Sequence, residues 1–275
     1  MSFDDQAAIE RAGADIGLNP MFGEWQHRFN FAPVPYGNGA AQRGEFRAAI
    51  QAELTNQWLY SHEIHLDITL HVDVQTTLET DETADLDNYA KAILDGLKGP
   101  NGIMIDDTQV QALSIHWIDG YGSPSFTIET KGSPDDFVLK PQEFYEMPDG
   151  LWYPHGRRLW SEGGADPTSE FNHYVGLSII ELMSSTKTRA RAELRKGGAA
   201  RLRAYQQSRY VTSLARGFHR SRIEDGFPMH PRRAWQANRR KWQTENAEAF
   251  AEVEAQLAEM RITHNKLIEL LASME

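Results

Sequence analysis

The residue types best suited to chemistry lie between positions 85 and 107 of the sequence. Asp85 and Asp87 are one residue apart, Lys91 follows one helical turn after Asp87, and the pair Asp106-Asp107 closes the stretch. Clustered carboxylates repel one another unless a cation binds them, and hard oxygen ligands suit Mg²⁺ or Mn²⁺ better than zinc. A cation with a lysine nearby suits hydrolysis of a phosphodiester, because the metal activates water and stabilises developing charge.

A helix and a short return strand must position these side chains. Residues 86–98 have helical periodicity with acids at the N-terminus, and the Gly-Pro-Asn-Gly sequence at 99–102 ends the helix. The apolar run at 103–105 then leads into the second acid pair. We expect this run to lie beside the start of the helix, so that both acid pairs reach the same cation.

The flanking segments predict a small mixed sheet with helices beside it. Residues 65–74 alternate apolar and polar side chains, as in a strand with one buried face. A first strand is predicted at 29–31, a helix at 44–58, and two more strands at 109–118 and 125–130. This order is typical of an α/β or α+β domain, which we predict over residues 1–133, with a short helix at 1–18.

The rest of the chain is predicted to be mainly helical. Residues 134–167, rich in Pro, Gly and aromatic residues, are interpreted as an ordered connector, and residues 168–275 as a basic helical domain. Helices are predicted at 168–196 and 199–223, with a break at the glycines 197 and 198, and one or two more at 231–273. In the last helix about three heptads of apolar residues predict self-association or packing on the preceding helices. These residues are Phe250, Val253, Leu257, Met260, Leu267 and Leu271.

The composition excludes several classes of protein. The 275 residues include no cysteine, which excludes disulfides and thiolate metal sites and is compatible with a reducing compartment. No apolar run approaches the ~18–20 residues that span a bilayer, and the N-terminus lacks the basic start and apolar core of a secretory signal. We therefore predict a cytoplasmic protein without a membrane partner.

Each acidic residue in the 85–107 stretch also has a structural explanation when it is taken alone. An aspartate can cap a helix, an aspartate and a lysine four residues apart can form a surface ion pair, and an acidic pair can occupy a turn. The complete set at this spacing favours a site over three unrelated coincidences.

Taken together, the spaced residues resemble the RusA family of Holliday-junction resolvases. That family carries D-x-D-N-x-x-K, then L-D-A/G-L, then a glycine and a closing D-D. The matching residues are Asp85, Asp87, Asn88, Lys91, Leu94, Asp95, Gly96, Leu97, Gly102, Asp106 and Asp107. With the flanking strands and the preceding helix, the resemblance covers roughly residues 25–130.

The resemblance implies a metal-dependent endodeoxyribonuclease. It implies that Asp85, Asp87 and Asp107 bind Mg²⁺ and are catalytic, with Asp106 as a supporting acid and metal-ligand candidate. Mn²⁺ is expected to substitute for Mg²⁺. It implies that Lys91 is the catalytic lysine, which either orients the attacking water or stabilises charge on the phosphate. It also implies a homodimer, or a higher homo-oligomer, that cuts two opposed strands of a four-way DNA junction.

The sequence departs from the family pattern in two places. The family tends to carry basic residues just before D-x-D-N, whereas residues 79–84 here read Glu-Thr-Asp-Glu-Thr-Ala. Family members are often single small domains, and the region from about residue 134 has no recognised counterpart. Residues 79–84 are therefore poor candidates for holding DNA.

The region 187–241 is strongly basic although the whole chain has a net charge of −11. It holds 16 Lys and Arg residues against 3 Asp and Glu residues, which favours contact with DNA phosphates. Trp235 and Trp242 could stack on unpaired bases. The alternative is a solvated face that packs on the acidic N-terminal half, with both tryptophans in a core. The candidate DNA-binding residues are Arg189, Arg191, Arg195, Arg232, Arg233, Arg239, Arg240 and Lys241.

The predicted function is a Mg²⁺-dependent, structure-selective endonuclease that acts on branched DNA and resolves four-way junctions by paired nicks. One alternative is a nuclease with the same chemistry that acts on flaps, forks or invading DNA. The other is a DNA-binding or regulatory protein that does not cut. The intact acid set argues against a protein that has lost cleavage.

Overall fold

The chain folds into two units in a computed structural model that describes residues 23–73, 85–132, 137–156, 167–204 and 216–248, with single positions beyond residue 250. The first unit is Met1–Lys140 with Ile223–Gly226, and the second is Pro141–Arg222 with Phe227–Glu275. The predicted helix at 1–18, the acidic residues 79–84 and the apolar heptad residues lie outside the described residues. In the described part of the chain, no helix has the length and apolar character needed to cross a membrane.

A mixed four-stranded sheet forms the centre of the first unit. Its strands are β1 (Glu24–Phe29), β3 (Ile64–Asp73), β4 (Val110–Gly120) and β5 (Ser125–Lys131), in the spatial order β1-β5-β3-β4. β3 pairs with β4 in parallel, whereas β5 is antiparallel to both β1 and β3. A parallel pair requires a crossover connection, and the segment between β3 and β4 supplies one.

Buried and more exposed side chains alternate along β3, as the sequence predicts. Leu66, Ile68 and Leu70 are at most 2% exposed and form part of the core, while His65 is exposed on the opposite side of the strand. Successive side chains of a strand point to opposite faces, so one apolar face is enough to attach the sheet to the helices.

Two helices pack on the apolar face of this sheet. They are α1 (Ala40–Glu53) and α2 (Leu86–Leu97), which pack closely on each other. Gly96 permits the contact, since a Cβ atom there would lie 2.5 Å from Cδ1 of Ile50. The prediction of helix 86–98 is confirmed. The predicted helix 44–58 begins earlier and ends at Glu53, because the chain turns into β2 (Trp58–Tyr60), which pairs with β6 (Phe137–Leu139).

A tight turn after α2 returns the chain towards the sheet. Gly99 has a φ of 94°, and a Cβ atom on Gly102 would lie 2.1 Å from the carbonyl oxygen of Leu97, so both positions favour glycine. The amides of Ile103 and Met104 donate to that same carbonyl at 2.8 and 3.2 Å. The apolar run 103–105 is thereby bound at the C-terminal end of α2, where all three residues are fully buried.

The second unit combines a small sheet with long helices. Strands β7 (Glu143–Glu146), β8 (Trp152–His155) and β9 (Met229–His230) lie in the order β8-β7-β9. The helices are α3 (Pro167–Lys196) and α4 (Arg232–Glu245). A second core, separate from that of the first unit, joins them through Tyr145, Tyr153, Leu177, Trp235 and Trp242.

The mixed α+β fold class is confirmed, but some predicted elements are wrong in detail. The first strand ends at Phe29 instead of spanning 29–31. The predicted helix 199–223 is helical only to residue 204 within its described part. At its far end Phe218 forms a β-bridge with Trp152, with reciprocal backbone hydrogen bonds of 2.8 Å. The region 134–167, predicted as a connector, contains β6, β7 and β8. The domain boundaries at 133 and 167 stay predictions.

Candidate active site

Asp85 and Asp87 lie together at the N-terminus of α2. Asp85 is the N-cap residue but makes no side-chain cap hydrogen bond, and Asp87 is in the first turn. Both residues are exposed. The partial positive charge of a helix N-terminus favours carboxylates there. The two acids are accessible from solvent and are not used to close the helix, which suits them to bind a cation.

Two cations contact one aromatic ring, and one of them, Lys91, lies one helical turn after Asp87. The Lys91 ammonium lies 4.6 Å from the ring centroid of Tyr36, and the Arg43 guanidinium lies 4.5 Å from the same centroid. The Tyr36 amide donates to the carbonyl of Asn88 at 3.0 Å, which attaches this loop to the first turn of α2. Tyr36 therefore joins two cations suited to a phosphate to the first turns of the helix that begins at the two acids.

Asp106 has a structural role in the turn before β4. It is 3% exposed and caps a short 3₁₀ helix, Asp107–Gln109, by accepting from the Thr108 amide at 3.1 Å and the Thr108 hydroxyl at 2.5 Å. One carboxylate oxygen of Asp106 is thus engaged by the turn itself. Its part as a supporting acid stays a prediction.

Gln109 holds this turn against the chain that precedes β3. It is fully buried, and its Oε1 accepts from the amides of Ile105 and Asp106 at 2.7 and 3.1 Å. Its Nε2 donates to the carbonyls of Tyr60 and His62, both at 2.8 Å. One side chain therefore satisfies four backbone groups and fixes the backbone on both sides of Asp106.

Asp107 lies near the C-terminal end of α2. A β-bridge joins Lys98, the C-cap residue of α2, to Met104. Met104 precedes Asp107 by three positions. Burial lowers the pKa of Lys98, but a hydrogen bond to Asp95 and the charges of Asp95, Asp107 and Glu224 outweigh it and raise that pKa. The charge of Asp107 therefore acts on the C-terminal end of the helix.

The two groups of acids lie towards opposite ends of α2. A helix of 12 residues is about 18 Å long at 1.5 Å per residue. Among the residues that the structure describes, no three His, Asp or Glu side chains are grouped closely enough to hold a metal ion. The expectation that the run 103–105 lies beside the start of the helix is wrong. Hydrogen bonds to Leu97 bind it at the other end.

The profile of the RusA endodeoxyribonuclease family matches residues 37–130. The chain carries a RusA endodeoxyribonuclease domain. The match runs from just before α1 to the penultimate residue of β5 and includes both groups of acids, so the predicted resemblance is confirmed. A comparison with curated proteins gives no match.

The RusA domain is an endodeoxyribonuclease domain, of a family that hydrolyses DNA phosphodiester bonds. RusA nucleases belong to a family that resolves Holliday junctions, binds branched DNA and depends on a divalent metal. The exposed carboxylates of Asp85 and Asp87 have the donor chemistry that such a metal requires.

Outside the RusA domain, the basic residues of the second unit fall into two groups. Arg232 and Arg239 each lie 3.3 Å from an oxygen of Glu181 on α3, whereas Arg233, Arg240 and Lys241 are exposed on α4. On α3, Arg189, Arg191 and Arg195 are exposed, and Arg191 lies 4.0 Å from Asp149. DNA contact by these eight residues stays a prediction.

The two tryptophans of α4 belong to the core. Trp235 is 2% exposed and Trp242 is 9% exposed, and the indole nitrogen of Trp235 donates to the carbonyl of Glu146 at 2.9 Å. The hypothesis that they stack on unpaired bases is wrong, and the alternative of a core position is confirmed.

Sequence reasoning missed Tyr36, Arg43 and Gln109 as neighbours of the RusA site. Tyr36 contacts α2 from a loop about 50 residues away in sequence, and Arg43 contacts the ring of Tyr36. Gln109 follows directly after the acid pair, and its spacing of three from Asp106 is a capping-box signal that was available.

Substitution of Gln109 by alanine is expected to lower the free energy of unfolding by about 3 kcal/mol, because buried backbone donors and acceptors lose their partner. Thermal or urea unfolding measures the change. Gln57→Ala is the control, since its amide makes a single exposed hydrogen bond to Thr55. Equal stability of the two variants would contradict the role assigned to Gln109.

Proposed function

We propose that the protein is a Mg²⁺-dependent endonuclease that resolves four-way DNA junctions by paired nicks. The observation that carries the proposal is a RusA match that contains the complete set of acids and the lysine. Mn²⁺ is expected to replace Mg²⁺, and the cytoplasm is the expected compartment.

In this proposal Asp85, Asp87 and Asp107 hold the cation. A bound Mg²⁺ supplies Lewis-acid activation and stabilises the negative charge that develops on the phosphate. The chain's own part is to fix the carboxylates. The N-terminus of α2 positions Asp85 and Asp87, and the Gln109 network positions the turn that carries Asp107.

Lys91 and Arg43 are suited to bind and orient the scissile phosphate. Both cations lie at the ring of Tyr36, and Arg43 also donates to the carbonyls of Tyr36 and Asn38 at 2.8 and 2.7 Å. These bonds restrict Arg43, whereas Lys91 is exposed and one turn from Asp87. Lys91 is therefore the group free to orient the nucleophile or to stabilise charge on the phosphate.

We further propose that a second copy of the chain completes each site. About 18 Å of helix separates Asp107 from the other two acids within one chain, too far for one cation. In a two-fold dimer the same pair of surfaces meets twice, so Asp107 of each copy can join Asp85 and Asp87 of the other. The two sites would then lie about one helix length, roughly 18 Å, apart. Two such sites suit cleavage of two opposed strands.

Cleavage in Mg²⁺ of a synthetic four-way junction is expected to give paired nicks, and Asp87→Asn is expected to reduce the rate at least about a hundredfold, because a ligand is lost. Gel assays with matched duplex, fork and flap DNA measure the preference. Asp67→Asn, on the outer face of β3, is the control. Faster cutting of flaps or forks would support the nuclease chemistry but reject the four-way junction as the preferred substrate. Junction binding without cutting would reject the proposed nuclease.

Mixing two inactive variants tests the shared site. In an equal mixture of Asp87→Asn and Asp107→Asn, half of the dimers should contain one copy of each variant. Each mixed dimer has one intact site out of two, so about a quarter of all sites should be active. These mixed dimers should make single nicks in place of paired cuts. Gels that resolve single from paired nicks measure this after the subunits exchange. A mixture as inactive as either variant would show that the acids act within one chain.

Exposed cations on α4 are expected to supply part of the DNA affinity. Replacement of Arg233, Arg240 and Lys241 by glutamine should weaken junction binding and reduce the slope of log affinity against log salt by about 2–3, because each phosphate contact contributes about 0.9. Binding at several salt concentrations measures the slope. Lys131→Gln, a single exposed change on β5, is the control. An unchanged slope in the triple variant would remove α4 from the DNA interface.

A further inference from the structure

A turn in the chain between β1 and α1 is bound to the start of α2. The Asn38 amide donates to the carbonyl of Pro35 at 3.1 Å, which closes the turn around Tyr36. The Tyr36 amide in turn donates to the carbonyl of Asn88 at 3.0 Å, and Asn88 lies in the first turn of α2. The chain before α1 is thereby attached to the helix end that carries the two exposed acids.

Arg43, in the first turn of α1, holds the same turn in place. Its Nη1 donates to the carbonyls of Tyr36 and Asn38 at 2.8 and 2.7 Å, and its amide donates to the carbonyl of Gly39 at 3.2 Å. Tyr36 is half-buried and packs against the apolar core of the first unit. A backbone hydrogen bond, an arginine and the core therefore set the position of the Tyr36 ring together.

The Lys91 ammonium contacts this fixed ring. It lies 4.6 Å from the ring centroid of Tyr36, within the range of a cation–π interaction. Lys91 is exposed, and the several rotatable bonds of a lysine let an unrestrained ammonium occupy many positions. Asp87 lies four residues earlier, but in the described part of the chain the structure gives no ion pair between the two. The ring, and not the neighbouring acid, is thus the group that restrains this ammonium.

We propose that Tyr36 is a positioning residue of the nuclease site, whose ring holds the Lys91 ammonium in place one helical turn after Asp87. A π face restrains an ammonium without offsetting its charge, whereas an ion pair with a carboxylate would offset it and occupy its N–H donors. This inference rests on the proposed function, because it takes Lys91 to act on the attacking water or on the phosphate. Tyr36 lies immediately before the RusA match, which begins at residue 37, so the motif itself does not assign it.

Removal of the ring tests the inference on the full chain by single-turnover cleavage of a four-way junction in Mg²⁺. Tyr36→Leu keeps an apolar side chain against the core but loses the π face, so the cleavage rate constant should fall at least about threefold, the size of an exposed cation–π interaction. Junction affinity should stay within about twofold of wild type, because the charge of Lys91 remains and phosphate contacts depend mainly on charge. Tyr36→Phe keeps the ring and should cut at the wild-type rate.

Tyr121→Leu is the matched control, since Tyr121 is 98% exposed in the turn between β4 and β5. It should cut at the wild-type rate. Equal losses in Tyr36→Phe and Tyr36→Leu would overturn the inference, because the ring would then not be the group that matters. Slower cutting with a matching loss of junction affinity would also overturn it, since that result indicates a structural role.

Nuclear magnetic resonance measures the contact itself, without DNA. Reductive methylation with isotope-labelled formaldehyde marks the lysine amines and keeps their positive charge, and methylated lysines still bind aromatic faces. The signal of Lys91, assigned by its loss in Lys91→Arg, should be shifted upfield by the ring in wild type and in Tyr36→Phe. In Tyr36→Leu it should return to the position of exposed lysines. An unshifted Lys91 signal in wild type would overturn the inference, whether or not Tyr36→Leu folds.

The cleavage assays distinguish this inference from the proposed function. Wild-type protein that cuts the junction, with Tyr36→Leu equally fast, would overturn the role of Tyr36 alone. Wild-type protein that cuts no branched DNA would overturn both. Circular dichroism of each variant confirms that the compared proteins are folded.

Discussion

The parallel pairing of β3 with β4 is the constraint on which the site depends. Two parallel strands cannot be joined by a tight turn, so the chain must travel back along the sheet before β4 begins. α2 makes that return, and its rigid backbone keeps its two ends about 18 Å apart. Because Asp85 and Asp87 lie at one end and Asp107 near the other, the topology itself divides the acid set. This division is the reason for proposing that a second copy of the chain completes each site.

Buried polar contacts stabilise the turn at the far end of α2. Gln109 satisfies four backbone groups, and Asp106 caps the short helix that presents Asp107. The carbonyl of Gly102 accepts from the buried side chain of Asn56 at 3.1 Å and from Lys140 at 2.8 Å, where burial lowers the pKa of Lys140 to about 8. Buried polar groups are costly unless they are paired, so such a network specifies one backbone geometry. The position of Asp107 is therefore set by the buried polar contacts around it.

The basic residues of the C-terminal half serve different purposes that a count of charges does not separate. Arg232 and Arg239 pair with Glu181 and help to attach α4 to α3, with Trp235 and Trp242 beneath them. Arg233, Arg240 and Lys241 point into solvent from the same helix. Helical periodicity accounts for this division. Arg232 and Arg239 are seven positions apart and lie on one side of the helix, whereas Arg233 and Arg240 lie on another side. Only the exposed group is suited to phosphate contact.

The sequence by itself determined the local elements and the chemistry of the domain. Alternation fixed β3, periodicity and the Gly-Pro-Asn-Gly turn fixed α2, and the spaced acids indicated a nuclease of the RusA type, because each of these signals lies within a few residues of chain. Tertiary structure decided which residues meet. The ring of Tyr36 contacts both Arg43 and Lys91, and Glu224 lies near Lys98. The tryptophans of α4 enter a core through contacts between residues far apart in sequence. It also decided that Asp107 lies at the opposite end of α2 from Asp85, because hydrogen bonds to Leu97 bind the return run there. Spacing along a chain sets which residues can be neighbours on one element, whereas distances between elements depend on how they pack.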